Sequence, residues 1–274
     1  MAENAVIELE GIEKRYGDHA VLKGVNMTVN KGDIYGLIGK NGAGKTTLFK
    51  VVLGLSDFEA GKLSILGAQT EEQNQKNRQK IGFFVGSNFF GYLNARENLH
   101  YYRMCKGIKD KEEVERVLDI VGLSEVSDKV PAKRFSLGMK QRLGIANALL
   151  GDPDILIFDE PTNGLDPQGI ADIRHLIQRI NEESGKTIIV SSHILGELEN
   201  TAHRFGIVHN GIIMKEMTSE DMLTNNGYTM LEISDNDVEK AKKLLTDNGI
   251  NINSIKQSSE SLEDFYFNLV GGER

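Results

Sequence analysis

Hydrophobic and polar positions alternate over short distances at the start of this chain and over helical distances further on. From Val6 to Gly39, VIELEGIEKRYGDHAVLKGVNMTVNKGDIYGLIG breaks its apolar runs with Gly and Asp turns, the pattern of short β-strands. The last run, Asp33 to Ile38, leads directly into a glycine-rich loop. Beyond the loop, TTLFKVVLGL has apolar residues at helical spacing, and Gly54 is placed to stop the helix. The predicted order is strand, glycine loop, helix.

Between about residues 87 and 134 the pattern changes. ARENLHYYRMCKGIKDKEEVERVLDIVGL carries strong helix formers, apolar residues at helical spacing and few strand signals, so an inserted helical subdomain is expected. Strand patterns return at ILIFDE (155 to 160) and TIIVSSH (187 to 193), separated by the helical IADIRHLIQRINEES. Strands alternating with helices predict a parallel α/β sheet. Near Ser219 this pattern ends. YTMLEIS reads as a strand, DNDVEKAKKLLTDNG as a helix with an Asp or Asn cap and Gly249 as its stop, ININSIK as a strand, and SLEDFYFNLVGG as a last helix. The expected division is a core over 5–220, with helices over about 87–150, and a small α/β lobe over 221–274.

Composition narrows the partners. A chain of 274 residues with 39% hydrophobic content can fill ordinary cores. Its net charge of -8 argues against a general nucleic-acid binder, which needs excess Lys and Arg to neutralise phosphates. The single cysteine, Cys105, excludes an internal disulfide and gives no sign of an oxidising compartment, so a cytosolic protein is expected. No stretch approaches the roughly 18 apolar residues of a membrane span, and MAENAVIELE lacks a signal-peptide pattern. A role at a membrane would require a partner.

The chemistry concentrates in a few motifs. Gly39, Lys40, Asn41, Gly42, Ala43, Gly44, Lys45 and Thr46 fit the phosphate-loop pattern, in which backbone N–H groups wrap phosphates at a helix N-terminus. Lys45 reaches the β- and γ-phosphates in that pattern, and the Thr46 hydroxyl ligates Mg²⁺. A second Mg²⁺ partner is needed, and ILIFDE supplies it: Asp159 at the end of a buried strand to hold the ion through water, then Glu160 as general base for the attacking water. Asp166 in NGLD follows in one short loop, and His193 ends the next strand where a γ-phosphate can meet it. FSLGMKQR, about twenty residues before the acidic pair, adds a second helix start; Ser136 suits a plain N-cap there.

In this order the motifs closely resemble the nucleotide-binding subunit of an ATP-binding cassette (ABC) transporter, over about residues 5–220. GKNGAGKTT, through Thr47, resembles the family's Walker A, FSLGM its signature, ILIFDE its Walker B, NGLD its D-loop, and His193 its switch histidine. The resemblance implies a P-loop core with a mainly parallel sheet, an N-terminal antiparallel β subdomain and the inserted helices. It implies ATP and Mg²⁺ as cofactors, and Tyr16 as the aromatic that stacks on adenine. It also implies a head-to-tail pair of cassettes, with a homodimer expected and a different cassette as the alternative partner, in which Ser136, Leu137, Gly138 and Met139 contact the γ-phosphate held by the opposite subunit. A separate integral membrane permease would hold the protein at the inner face of the membrane.

One position departs from the family pattern. Where the family has Gln or Glu on entering the helical subdomain, IGFFVGSNFFGYLNARENL has Gly86, with Asn88 or a water as the substitute. FSLGMKQRLGIA and LEDFYFNLVGG are similar to cassettes of bacitracin-resistance and lantibiotic-immunity exporters, which implies export of a peptide, antibiotic or lipid-like compound. Two other classes remain open at this point. A soluble cassette switch usually has two cassettes or a long coiled coil, and neither is seen. A regulatory, weakly hydrolysing cassette agrees with Gly86 but not with Glu160 and His193.

Overall fold

The computed structural model describes residues 4–86, 89–199, 201–224, 231, 233–250 and 252. Two long strands, β1 (Ala5–Tyr16) and β2 (His19–Asn30), form an antiparallel hairpin, and β3 (Ile34–Ile38) follows. Helix α1 (Lys45–Val52) ends as expected, with Leu53 as C-cap and Gly54 beyond it at φ 69°. Then come β4 (Ala60–Ile65), α2 (Glu71–Asn77) and β5 (Ile81–Val85). The helical insertion holds α3 (Ala95–Cys105), α4 (Glu112–Val121) and α5 (Leu137–Leu149). After it run β6 (Ile155–Asp159), α6 (Pro167–Ser184), β7 (Thr187–Ser192) and α7 (Leu195–Glu199). The hairpin β8 (Arg204–His209) and β9 (Ile212–Thr218), not among the expected elements, precedes α8 (Ser219–Thr224).

These strands build two sheets. One is antiparallel, in the order β2-β1-β4. The other has six strands in the order β5-β6-β7-β3-β8-β9, parallel except for β9. Because side chains alternate along a strand, each parallel strand feeds two cores. Ile34, Leu156, Phe158, Ile188 and Val190 face the core shared with the inserted helices and α6. Tyr35, Leu37, Ile155, Ile157 and Ile189 face the core shared with the antiparallel sheet and α1. The expected α/β fold, with a mainly parallel sheet and an N-terminal antiparallel sheet, is therefore present.

Local signals explain the inserted helices. Asn94 and Glu97 form a reciprocal capping box that starts α3, and Gly122 in a left-handed conformation ends α4. Val114, Val117, Leu118 and Val121 lie on one face of α4 and are fully buried, each worth about 1.5–3 kcal/mol of apolar burial. Arg96 of α3 pairs with Glu115 at 2.8 Å and Asp128 at 2.8 Å, tying α3 to α4 and to the loop after it. Helix α5 packs closely on β5, since a Cβ at Gly144 would strike the Phe84 ring.

The chain divides into two compact units, Met1–Met222 and Leu223–Arg274. In the second, a 3₁₀ turn (Asp235–Asp237) leads into α9 (Val238–Asp247), and Gly249 beyond it has φ 75°. Asp237 stands at the N-cap without a side-chain bond, so the expected cap is not made. Leu231, Ile233 and Ser234 belong to no strand, contrary to the reading of YTMLEIS. Leu231 and Ile233 are exposed, so the apolar face of such a strand is not buried. The other residues of that segment, most of ININSIK and all of SLEDFYFNLVGG lie outside the described residues, as does Asn88.

Candidate active site

The glycine loop begins where β3 ends. All five residues of β3 are buried, and Gly39 N–H donates to the Ser192 carbonyl at 3.2 Å, so the loop starts from a fixed point. Gly44 is the N-cap of α1 at φ 110°, which L side chains rarely adopt. A Cβ at Gly39 would lie 2.5 Å from the Val208 carbonyl oxygen, so the backbone there can run this close only without a side chain. No side chain caps α1, which leaves its first-turn N–H groups, from Lys45 to Thr47, at the mouth of the loop. Lys40, Asn41 and Gly42 are exposed, while Ala43 is buried. The sequence thus makes an anion-binding cradle.

Around this cradle the structure gathers residues that are far apart in sequence. Lys45 is buried, and its Nζ donates to the Gly39 carbonyl at 2.5 Å and pairs with Glu160 Oε1 at 3.1 Å. A buried ammonium needs such partners to offset desolvation. Thr46 Oγ1 donates to Asp159 Oδ2 at 2.7 Å, and Asp159 Oδ1 accepts from Ser191 Oγ at 2.6 Å. His193 Nδ1 lies 3.0 Å from Glu160 Oε2. Glu160 has φ 51°, a left-handed conformation that costs a residue other than glycine on the order of 1–2 kcal/mol. Its N–H donates to Ser191 Oγ at 2.9 Å, one of the contacts that hold this turn.

A second group forms at the start of α5. Ser136 accepts from Met139 N–H at 3.2 Å as an N-cap, so its bonds run to its own helix. Asp166 likewise caps α6, accepting from Gly169 N–H at 3.0 Å, with Pro167 opening the helix. The two caps are neighbours, because a Cβ on Gly164 would meet Leu137 at 3.2 Å and one on Gly138 would meet Leu165 at 3.9 Å. Leu137 is exposed, and Gly138 and Met139 are half-buried. Tyr16 ends β1 at the β1–β2 turn, 50% exposed, with Lys14 Nζ 5.3 Å from the ring centroid. Its OH lies 3.3 Å from Ser56 Oγ.

Four site neighbours were not among the residues expected from sequence. Ser191 binds both acidic residues, and Glu197 Oε2 accepts from Thr162 Oγ1 at 2.9 Å and from Ser192 Oγ at 2.6 Å. Only the adjacency of Ser191 and Ser192 to His193 in TIIVSSH hinted at them. Gly86 directly follows Val85, which is in register with Asp159, and has φ 71°. Among the described residues, leaving out its chain neighbours, no heavy atom lies within 4 Å of a Cβ placed there. A cavity of about 260 Å³ lined by Arg116, Arg179 and Lys186 shares no residue with this site.

A phosphate loop after one parallel strand, with carboxylates at the end of another, defines the class: a P-loop ATPase. A family model described as ABC transporter matches residues 22–163. The bacitracin transport ATP-binding protein BcrA of Bacillus licheniformis is 38% identical over 98% of each chain. The lantibiotic transport ATP-binding protein SrtF of Streptococcus pyogenes is 40% identical over 77% of this chain and 90% of its own. Among solved structures, the ATP-binding cassette MJ0796, dimeric in a post-hydrolysis state with ADP and Pi, is similar at a TM-score of 0.68 and 25% identity. That likeness covers 78% of this chain and 98% of the other. This chain belongs to the ABC transporter ATP-binding family, and it is an ATPase. Among the described residues no helix is long and apolar enough to cross a membrane.

Proposed function

We propose that this ATPase powers an exporter. It pairs with a second copy of itself around ATP and drives a separate integral membrane permease that moves a peptide, antibiotic or lipid-like compound out of the cell. On this reading it is cytoplasmic and held at the inner membrane face by the permease. Support for the cargo class comes from the bacitracin and lantibiotic transport relatives. The net charge of -8 speaks against nucleic acid as a partner.

The observation that carries the hydrolytic reading is the convergence of Lys45, Thr46, Asp159, Glu160 and His193 at the C-terminal ends of neighbouring parallel strands, where open α/β sheets bind ligands. The N–H groups from Gly39 to Thr47 hold the phosphates, with Lys45 as their cation, and Tyr16 stacks on adenine. Thr46 and Asp159 offer adjacent hard oxygen atoms 2.7 Å apart, which fits Mg²⁺. The ion, when bound, neutralises charge on the phosphates. Glu160 takes the proton of the attacking water, and His193 orients Glu160 and meets the γ-phosphate. Ser136, Leu137, Gly138 and Met139 serve the ATP of the opposite subunit, beside Asp166.

Glu160→Gln tests this directly. The amide cannot accept the proton, so phosphate release should fall at least about a hundredfold while labelled ATP still binds, and the protein should elute as a closed dimer with ATP. Turnover equal to the unaltered protein would remove Glu160 from the mechanism. Solubilisation in mild detergent should bring an integral membrane protein down with the ATPase.

A further inference from the structure

We propose that Glu197 is a positioning residue for ATP hydrolysis, its buried carboxylate holding together the two backbone segments that carry Glu160 and His193. The proposal rests on the reading of Glu160 as general base and His193 as its partner.

Glu197 lies in the short helix α7 and is 8% exposed. A carboxylate so placed must be satisfied by donors, and both donors found come from the site loops. Thr162, itself buried, donates its hydroxyl to Glu197 Oε2 at 2.9 Å. Ser192, also buried, donates to the same oxygen at 2.6 Å, within the short range of charge-assisted O–H···O⁻ bonds.

The two donors occupy decisive places. Thr162 is two residues past Glu160, in a turn where Asn163 N–H donates to the Glu160 carbonyl at 3.2 Å and Leu165 N–H to the Thr162 carbonyl at 3.1 Å. Glu160 sits in this turn at φ 51°, a conformation that persists only where its surroundings over-determine it. Ser192 precedes His193, and its Oγ also accepts from Ile194 N–H at 3.0 Å, so the hydroxyl brackets the histidine backbone on both sides. One carboxylate oxygen therefore joins the turn after Glu160 to the turn around His193, while the Glu160 and His193 side chains meet at 3.0 Å.

Ser191 fixes Asp159 and the Glu160 N–H from the other side of the same strand end, since successive residues of β7 point to opposite faces. Glu197 is not bonded to Lys45, Thr46 or any residue of the glycine loop. Its loss should therefore loosen the catalytic pair and leave the phosphate cradle in place. That separates it from the groups that bind nucleotide.

The test compares Glu197→Gln, Thr162→Val and the double variant in the full chain, with Glu160→Gln alongside. Phosphate release gives kcat and KM, labelled ATP gives Kd, and circular dichroism melts confirm the folded fraction. Each single variant should lower kcat about tenfold or more, with Kd for ATP within about twofold of the unaltered protein. The double variant should be no worse than the poorer single one, because both cut the same link. Thr162→Val keeps shape and volume, so it tests the link even if Glu197→Gln does not fold. Unchanged kcat in the folded single variants, equal loss in kcat and ATP affinity, or additive losses in the double variant would overturn the positioning role. If Glu160→Gln turned over normally, the catalytic reading and this proposal would both fall. If Glu160→Gln were inactive while the link variants kept full kcat, only the positioning role would fail.

Discussion

At Lys45 a single side chain joins structure and chemistry: its ammonium is buried, bonded to a loop carbonyl and paired with Glu160. On the proposed reading Lys45→Ala removes a charged donor from the phosphate cradle, so ATP affinity should fall at least about tenfold in a labelled-nucleotide titration. Gly86 is a different case. At φ 71° any L side chain is strained, and Asn tolerates that conformation better than Gln. Gly86→Gln should lower stability by about 1–2 kcal/mol in a denaturant titration, with Gly86→Asn closer to the unaltered protein. Among the described residues beyond its chain neighbours nothing stands within 4 Å of a Cβ at Gly86, and basal hydrolysis in Gly86→Gln should rise if this enzyme lacks that group. Lys45, Asp159 and Glu160 were legible from sequence because spacing and flanking apolar runs mark them. Ser191 and Glu197 were not, since a serine or glutamate carries no such mark until the strands lie side by side.

Elements follow local signals wherever the tertiary neighbours agree with them. The ends of α1, α3 and α4 coincide with Gly54, the Asn94–Glu97 box and Gly122. The β8–β9 hairpin carries a mark of its own, Asn210-Gly211 at φ 49° and 82° between apolar runs, the signal of a two-residue hairpin turn, although Arg204 and Gly206 break the apolar pattern of its first strand. The link between the end of α5 and the start of β7 shows how one ion pair joins elements. Lys186, nearly buried, donates to the Pro153 carbonyl at 2.7 Å and pairs with Asp152 at 2.8 Å. The Lys186 bond holds the Asp152 carboxyl below its usual range. A depressed carboxylate contributes stability that is present above its unfolded value of about 3.9 and is lost as pH falls through the folded value. Asp152→Asn suits the positive φ of 51° at this position. Its melting temperature should lie below that of the unaltered protein at pH 7, and the gap should close below about pH 4.

At the scale of the whole molecule, no hydrogen bond or ion pair among the described residues joins the start of α5 to the glycine loop. Ser136 is satisfied by its own helix and stands exposed at its N-terminus. In a mixed dimer carrying Ser136→Ala in one subunit, hydrolysis should be damaged at the ATP bound by the other subunit's loop. Site-resolved nucleotide trapping reads this out, and damage confined to the altered subunit's own loop would contradict the trans arrangement.

Taken alone, the sequence determined the class of fold, the phosphate loop and the acidic pair, because glycines, a lysine and buried apolar runs impose their geometry locally. It also carried the family likeness, which the comparisons bear out. Only the tertiary structure decided which residues meet. The parallel register sets Asp159 beside Ser191, and α7 carries Glu197 between two segments of the site. Asp159 and Ser191, like Thr162 and Glu197, are tens of positions apart, and hydrogen-bond partners at that separation are chosen by strand order and packing, which no local pattern encodes.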